Sequence, residues 1–312
     1  GGAGVKEKSK ARTLQAMATL RHRAVSFLRD GRARITLACM PAETLPAFLA
    51  AAPGALLDRD RPVSYAALAD ESARLAAALR DLGVRAGDRV ALWLPNVPAW
   101  LALVFACARL GAIAVSVNTR FRSHELADIV GRSRAKLLCY WPGFKRIDFS
   151  GILAGCDPAA LCALEALLVF DEDGTAPEGL IGRLAHRYRK LIEHPPLTED
   201  ASRPDAGCIM FTTSGTTKAP KFVLHDQGTL IRHARDVASD FGYGAAETKI
   251  LVTAPLCGVF GFCNAMAAIA AGRPLVMYPS FDALEAARAV QRHAITHTHA
   301  TDDMIHQMLA AV

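Results

Sequence analysis

Hydroxyl side chains, a glycine and two lysines are concentrated in one short stretch of the chain. Its sequence is Phe211-Thr212-Thr213-Ser214-Gly215-Thr216-Thr217-Lys218-Ala219-Pro220-Lys221. Short hydroxyl donors, backbone N–H groups freed by a tight turn and ammonium groups are the ligands that a polyphosphate needs. The stretch follows an apolar strand, and open α/β sheets bind ligands at the carboxyl ends of their strands. We therefore expect a phosphate-binding loop at this place.

Other motifs of similar composition do not match these residues. A P-loop counted from Gly215 would need Gly-Lys-Ser/Thr where the chain has Pro220-Lys221-Phe222. A nucleophile elbow would need a glycine at Thr212, two residues before the serine. A dinucleotide fingerprint beginning at Gly242 lacks its third glycine, because Glu247 occupies that position.

The loop resembles the phosphate-loop signature of the adenylate-forming superfamily, which contains acyl- and aryl-CoA synthetases. The resemblance rests on Thr213–Thr217 followed by Pro220-Lys221, and it extends over roughly residues 41–312. The further segments that carry it are Tyr65–Leu82, Pro95–Asn118, Ala254–Leu256 and Gly272–Ala300.

The resemblance implies a two-step ligation with ATP, Mg²⁺ and, as the acceptor of the acyl group, coenzyme A or a carrier-protein thiol. A carboxylate would attack the α-phosphate of ATP, and a thiol would then displace AMP. The hydroxyl residues Thr213, Ser214, Thr216 and Thr217 would contact the β- and γ-phosphates, and Gly215 would permit the close turn. Lys221 would be the catalytic residue, bringing positive charge to the departing pyrophosphate.

The chain departs from the family pattern at two places near the site. Lys218 and Phe222 stand where the family has glycine, so Lys218 either adds a phosphate donor or faces solvent. Cys257-Gly258 replaces an aromatic–histidine pair in the acyl-pocket strand, whose expected substrate-binding residues are Leu256, Cys257, Gly258 and Phe260. Gly258 and Gly261 would either leave room for a bulky acyl group or serve helix packing.

The chain stops at Val312 inside a helical pattern, before the family's adenine-binding segment and small C-terminal domain. We therefore expect the N-terminal portion of an AMP-forming acid–thiol ligase that is inactive, or nearly so, by itself. The alternatives are a non-catalytic nucleotide- or acyl-binding fragment and the adenylation domain of a peptide-synthetase-like system.

Apolar strands alternate with amphipathic helices, which predicts an α/β fold of parallel-rich sheets with helices on both faces. The predicted strands are Arg89–Leu94, Ile113–Val117, Lys136–Tyr140, Leu167–Phe170, Cys208–Thr212, Phe222–His225, Ile250–Thr253, Leu275–Tyr278 and Thr296–His299. The predicted helices are Ser64–Leu82, Pro98–Leu110, Ser123–Arg132, Gln227–Phe241, Phe260–Ala271 and Asp282–Arg292. A proline-rich linker at 193–205 suggests subdomains at 41–200 and 201–312, after a basic helical segment at 1–40.

Charge and cysteine content bound the remaining possibilities. The net charge is +6, but nine lysines and arginines lie within residues 1–36 and the rest of the chain is nearly neutral. No aromatic residues are interleaved with these basic ones, so we expect no nucleic-acid partner.

Eight scattered cysteines indicate reduced thiols in a cytoplasmic protein. The apolar run 99–117 is divided by Gly111, which favours a helix and a strand over a membrane span. His297 and His299 are predicted to be polar strand or substrate-pocket histidines rather than metal ligands.

Overall fold

The computed structural model describes residues 43–172, 177–213 and 220–312. The helices in these ranges are α1 Leu45–Ala51, α2 Tyr65–Asp81, α3 Pro98–Leu110, α4 Ser123–Ser133, α5 Phe149–Ala154, α6 Tyr188–Leu191, α7 Gln227–Asp240, α8 Val259–Ala270, α9 Ala283–Arg292 and α10 Asp302–Ala310. The strands are β1 Ala55–Asp58, β2 Arg61–Ser64, β3 Arg89–Trp93, β4 Ile113–Ser116, β5 Leu137–Tyr140, β6 Ala166–Val169, β7 Gly179–Leu180, β8 Arg183–Arg187, β9 Gly207–Thr213, β10 Lys221–Asp226, β11 Ile250–Val252, β12 Leu275–Met277 and β13 His297–His299. The predicted basic helix at 1–40 lies outside the described residues.

The strands form two mostly parallel sheets. The larger has the order β10-β9-β4-β3-β5-β6-β8-β7, and among its described strands only β10–β9 and β7–β8 are antiparallel pairs. The smaller has the order β13-β11-β12-β1-β2 and ends in the antiparallel pair β1–β2. The predicted α/β fold with parallel-rich sheets is confirmed. Both sheets take strands from either side of residue 200, and the division into subdomains at that point stays a prediction.

Helix α3 is almost entirely buried in the core, and it begins and ends at the predicted residues. Pro98 occupies the first turn, where its missing N–H costs no hydrogen bond, and Gly111 ends the helix in the left-handed conformation with φ 67°. All its residues except Arg109 are buried, and it packs between α2 and the larger sheet. In the part of the chain that the structure describes, no helix is long and apolar enough to cross a membrane.

Ser64 is the N-cap of α2, as predicted, and α4 begins at Ser123, as predicted, although Ser123 is not its N-cap. The Ser64 hydroxyl accepts a hydrogen bond from the Ala67 N–H at 3.0 Å, as an N-cap should. At α4 the N-cap is Arg122, because the Ser123 hydroxyl instead donates to the Ile152 carbonyl at 2.6 Å. Glu125 still caps the helix, since it accepts from the Arg122 N–H at 3.0 Å.

Candidate functional site

The two described ends of the predicted phosphate loop lie opposite each other. Thr213 is the last residue of β9, Lys221 is the first residue of β10, and the two are paired across the antiparallel strands. Both are exposed. The structure therefore brings Thr213 and Lys221 together, whereas Ser214, Gly215, Thr216, Thr217 and Lys218 lie outside the described residues.

The loop leaves the sheet at the edge where parallel strands end. Strand β9 runs parallel to β4, with Met210 paired to Val115. Thr213 is three residues beyond Met210, which places it at the level of Asn118, just past the carboxyl end of β4. Ligands of open α/β sheets bind at this edge.

A cleft of about 410 Å³ opens at the carboxyl ends of strands from both sheets. Asn96 and Arg120, which follow β3 and β4, line it together with Cys257, which follows β11. Its charged lining consists of three basic side chains, Arg120, Arg122 and Lys145, and one acidic side chain, Asp303. An excess of positive charge around a concave surface favours anionic ligands such as carboxylates and phosphates.

The amide of Asn96 joins the carboxyl ends of the two sheets. Its Nδ2 donates to the Ala254 carbonyl at 3.0 Å, and its Oδ1 accepts from the Leu256 N–H at 2.7 Å. The Asn96 residue is 5% exposed, so the two bonds are shielded from water. The Ser116 hydroxyl adds a third link by donating to the Cys257 carbonyl at 2.6 Å. Asn96 is not among the residues predicted from the sequence, although a lone amide between Pro95 and Pro98 after a buried strand is a usable signal.

The four expected substrate-binding residues do not share one environment. The Leu256 side chain is fully buried in the core, whereas Cys257 lines the cleft and Phe260 is 50% exposed. Gly258 is the N-cap of α8, and a Cβ there would meet only the Pro255 carbonyl oxygen, at 3.6 Å. A Cβ at Gly261 would lie 2.3 Å from the same oxygen, which is a collision. Packing therefore requires a glycine at 261, whereas a side chain fits at 258, and the role of Gly258 in leaving room for an acyl group stays a prediction.

His299 lies among aromatic rings beside the start of α8. Its Nε2 is 2.7 Å from the Tyr243 hydroxyl, and its ring centroid is 4.5 Å from that of Phe241 and 6.0 Å from that of Phe260. Burial lowers the pKa of His299 to about 4, with a smaller contribution from His297. At neutral pH the imidazole is uncharged. Residues 43–172, 177–213 and 220–312 contain no group of three or more His, Cys, Asp or Glu side chains that could hold a metal ion.

Cysteines in the described ranges are free thiols. Burial raises the pKa of Cys107 to about 12 and that of Cys257 to about 11, so at neutral pH both are protonated and weakly nucleophilic. Cys257 is therefore better suited to filling space in the cleft than to attacking a substrate.

Comparison with known proteins places these features in a family. The AMP-binding enzyme family matches residues 46–312. A methyl-dioxo-octahydro-indenyl-propanoyl:CoA ligase of Mycobacterium tuberculosis is 32% identical over 78% of this chain and 47% of its own length. Indoleacetate–CoA ligase of Aromatoleum aromaticum is 33% identical over 80% of this chain and 47% of its own length.

A solved structure agrees with these relatives. The anthranilate CoA ligase AuaEII, in complex with anthranoyl-AMP, has 25% identity and a TM-score of 0.64, over 78% of this chain and 46% of that one. The chain thus spans about half the length of the curated relatives that it matches. From the length of the family match and the shared fold, we conclude that the chain belongs to the family of AMP-binding enzymes.

Proposed function

We propose that this chain supplies the phosphate loop and part of the acyl site of an ATP-dependent carboxylate–CoA ligase that releases AMP. The observation that carries the proposal is the pairing of Thr213 with Lys221 at the carboxyl edge of the larger sheet, within a chain of the AMP-binding enzyme family. The similarity to CoA ligases supports the reaction class.

The proposed reaction has two steps, adenylation of the acid and transfer of the acyl group to a thiol. A carboxylate oxygen attacks the α-phosphorus of ATP, and the bond to the bridging oxygen of pyrophosphate breaks. A thiol, from coenzyme A or a carrier protein, then releases its proton to solvent, and the thiolate attacks the carbonyl carbon of the acyl-adenylate, so that AMP leaves with the former carboxylate oxygen. Such catalysis consists of positioning and charge stabilisation at the transferred phosphorus.

Within this reaction, Lys221 neutralises the departing pyrophosphate, and the Thr213 hydroxyl donates to a phosphate oxygen. Ser214, Thr216 and Thr217 add hydroxyl and backbone donors, Gly215 allows the close turn, and Lys218 supplies a second cation. Mg²⁺ enters as the counter-ion of ATP, and no residue of this chain is assigned to it.

For the acid, we propose a carboxylic acid that carries a ring. The two curated relatives described above are named for an octahydroindene-type acid and for indoleacetate. The open space at Gly258, the small Cys257 side chain and the exposed Phe260 ring would accommodate such a group, with the buried Leu256 supporting the wall behind them. We place the enzyme in the cytoplasm, which the free thiols support.

The proposal is tested by pyrophosphate release from the natural full-length protein with ATP and a panel of ring-bearing, long-chain and short acids. We expect release with at least one acid, and a loss of about 100-fold or more in kcat for Lys221→Ala, the usual effect of removing a donor to developing charge. Lys190→Ala is the matched control, because this exposed lysine of α6 pairs with Glu193, two residues after the end of the helix.

Two results would contradict the proposal in different ways. No release with any acid, in a protein that still binds ATP, would favour the non-catalytic nucleotide-binding alternative. Wild-type release from Lys221→Ala would remove Lys221 from the mechanism while leaving the reaction class intact.

A further inference from the structure

An arginine from a helix outside the loop contacts both chain neighbours of Lys221. Arg132 lies in the last turn of α4, and its Nη2 donates to the Pro220 carbonyl at 2.8 Å. Its guanidinium carbon lies 4.6 Å from the centroid of the Phe222 ring, a cation–π distance. One side chain therefore holds the residue before Lys221 and the residue after it.

Arg132 is itself fixed by a carboxylate one turn earlier on α4. Its Nε donates to Asp128 Oδ1 and its Nη2 to Asp128 Oδ2, both at 2.7 Å. These hydrogen bonds raise the pKa of Arg132 above its usual value. A bidentate pair of this kind sets the plane of the guanidinium as well as its position. The guanidinium of Arg132 is therefore held in the orientation in which it contacts Pro220 and Phe222.

The position of Lys221 in the sheet explains why such a support matters. Lys221 is the first residue of β10, which among the described strands lies at the edge of the larger sheet and pairs with β9 alone. Ends of edge strands have few neighbours and open locally at low cost. Phe222 gives this strand end an aromatic ring that Arg132 covers.

We propose that Arg132 is a positioning residue for Lys221. By contacting the Pro220 carbonyl and the Phe222 ring, it fixes the backbone on both sides of Lys221. The Cα atom from which the flexible lysine side chain extends therefore has a defined position. The inference rests on the proposed role of Lys221, but the placement of the backbone can be measured separately from that role.

The kinetic test compares Arg132→Ala and Arg132→Lys with Arg74→Ala in the natural full-length protein. Arg74 is a matched control, because its Nε donates to Asp70, one turn earlier on α2, at 2.6 Å and its Nη1 to the His194 carbonyl at 3.1 Å. We expect Arg132→Ala to lower kcat of pyrophosphate release about tenfold, equivalent to about 1.4 kcal/mol, with KM for the acid changed less than about twofold.

Two further comparisons separate positioning from general stability. Arg132→Lys keeps the charge but lacks the planar fork, so we expect it to restore part of the lost kcat. In a Lys221→Ala background, Arg132→Ala should lower kcat less than about twofold, because its effect passes through Lys221. An undiminished tenfold loss in that background, or equal losses from Arg132→Ala and Arg74→Ala, would overturn the proposal.

Hydrogen exchange of the backbone amides at 221–223 tests the placement without any assay of activity. We expect exchange about tenfold faster in Arg132→Ala and unchanged in Arg74→Ala. Unchanged exchange in Arg132→Ala would refute the positioning even in an active enzyme. A wild-type protein that releases no pyrophosphate would instead count against the proposed function, and the exchange result would still decide the role of Arg132.

Discussion

Replacing Asn96 with alanine should destabilise the protein, because this amide links the carboxyl ends of the two sheets. The change removes both hydrogen bonds of the amide and leaves the Leu256 N–H and the Ala254 carbonyl without that partner. Leu256 is fully buried and Ala254 is 6% exposed, so water replaces the lost bonds poorly. A buried polar group without a partner costs about 1–3 kcal/mol. We therefore expect Asn96→Ala to lower the free energy of unfolding by about 3 kcal/mol.

Urea titration of the wild-type protein and variants measures this loss, as a midpoint about 1 M lower at an unchanged slope. Asn118→Ala is the control, because its Oδ1 accepts a local hydrogen bond from the exposed Arg120 N–H at 2.9 Å. We expect a loss of about 0.5–1 kcal/mol for that variant. If Asn96→Ala were no more costly than Asn118→Ala, the amide would not be a link between the sheets.

Three further predictions concern two glycines at the start of α8, the buried His299 and the described cysteines. Gly261→Ala should lower the free energy of unfolding by about 2–3 kcal/mol, because its Cβ collides with the Pro255 carbonyl oxygen. Gly258→Ala should leave the melting temperature nearly unchanged, because a Cβ fits there. Equal melting temperatures for the two variants would contradict this. The pKa of His299 in the folded state lies below the unfolded value of about 6.5. Its contribution to the free energy of unfolding is therefore fully present above pH 6.5 and is lost as the pH falls towards 4. This loss amounts to at most about 3 kcal/mol. His299→Gln should flatten the pH dependence of the urea midpoint in that window, and an unaltered dependence would show that His299 is not a buried neutral group. Among the described cysteines, the exposed Cys162 should be the first to react with a thiol reagent, and a faster reaction at a buried cysteine would contradict the burial pattern.

Most of the regular structure follows from local signals in the sequence. The bounds of α3 coincide with those predicted, because a proline in the first turn and a glycine after the last turn are strong boundary signals. The α1 helix and the β1–β2 hairpin were not predicted as elements. The hairpin contains Pro62 in a strand of four residues, and its pairing to β12 joins residues more than two hundred positions apart. Local patterns do not report such a contact.

The candidate site also has a part that local sequence signals predict and a part that depends on contacts between distant residues. The phosphate loop is recognisable because its residues are consecutive, and the structure adds the pairing of Thr213 with Lys221. The support around the loop and the cleft comes from residues far apart in the chain: Asn96 bonds to residues 254 and 256, and Arg132 to residue 220. These partners meet only when the sheets and α4 pack together, so the partners of Asn96 and Arg132 cannot be identified from the local sequence around either residue.

The most direct test of the proposed function follows an oxygen atom from the acid to AMP. The natural full-length protein would be incubated with ATP, coenzyme A and a carboxylic acid labelled with oxygen-18 in its carboxylate. Attack on the α-phosphorus predicts AMP that carries one labelled oxygen, together with an equal amount of pyrophosphate. ADP as the nucleotide product, with the label in inorganic phosphate, would contradict the account.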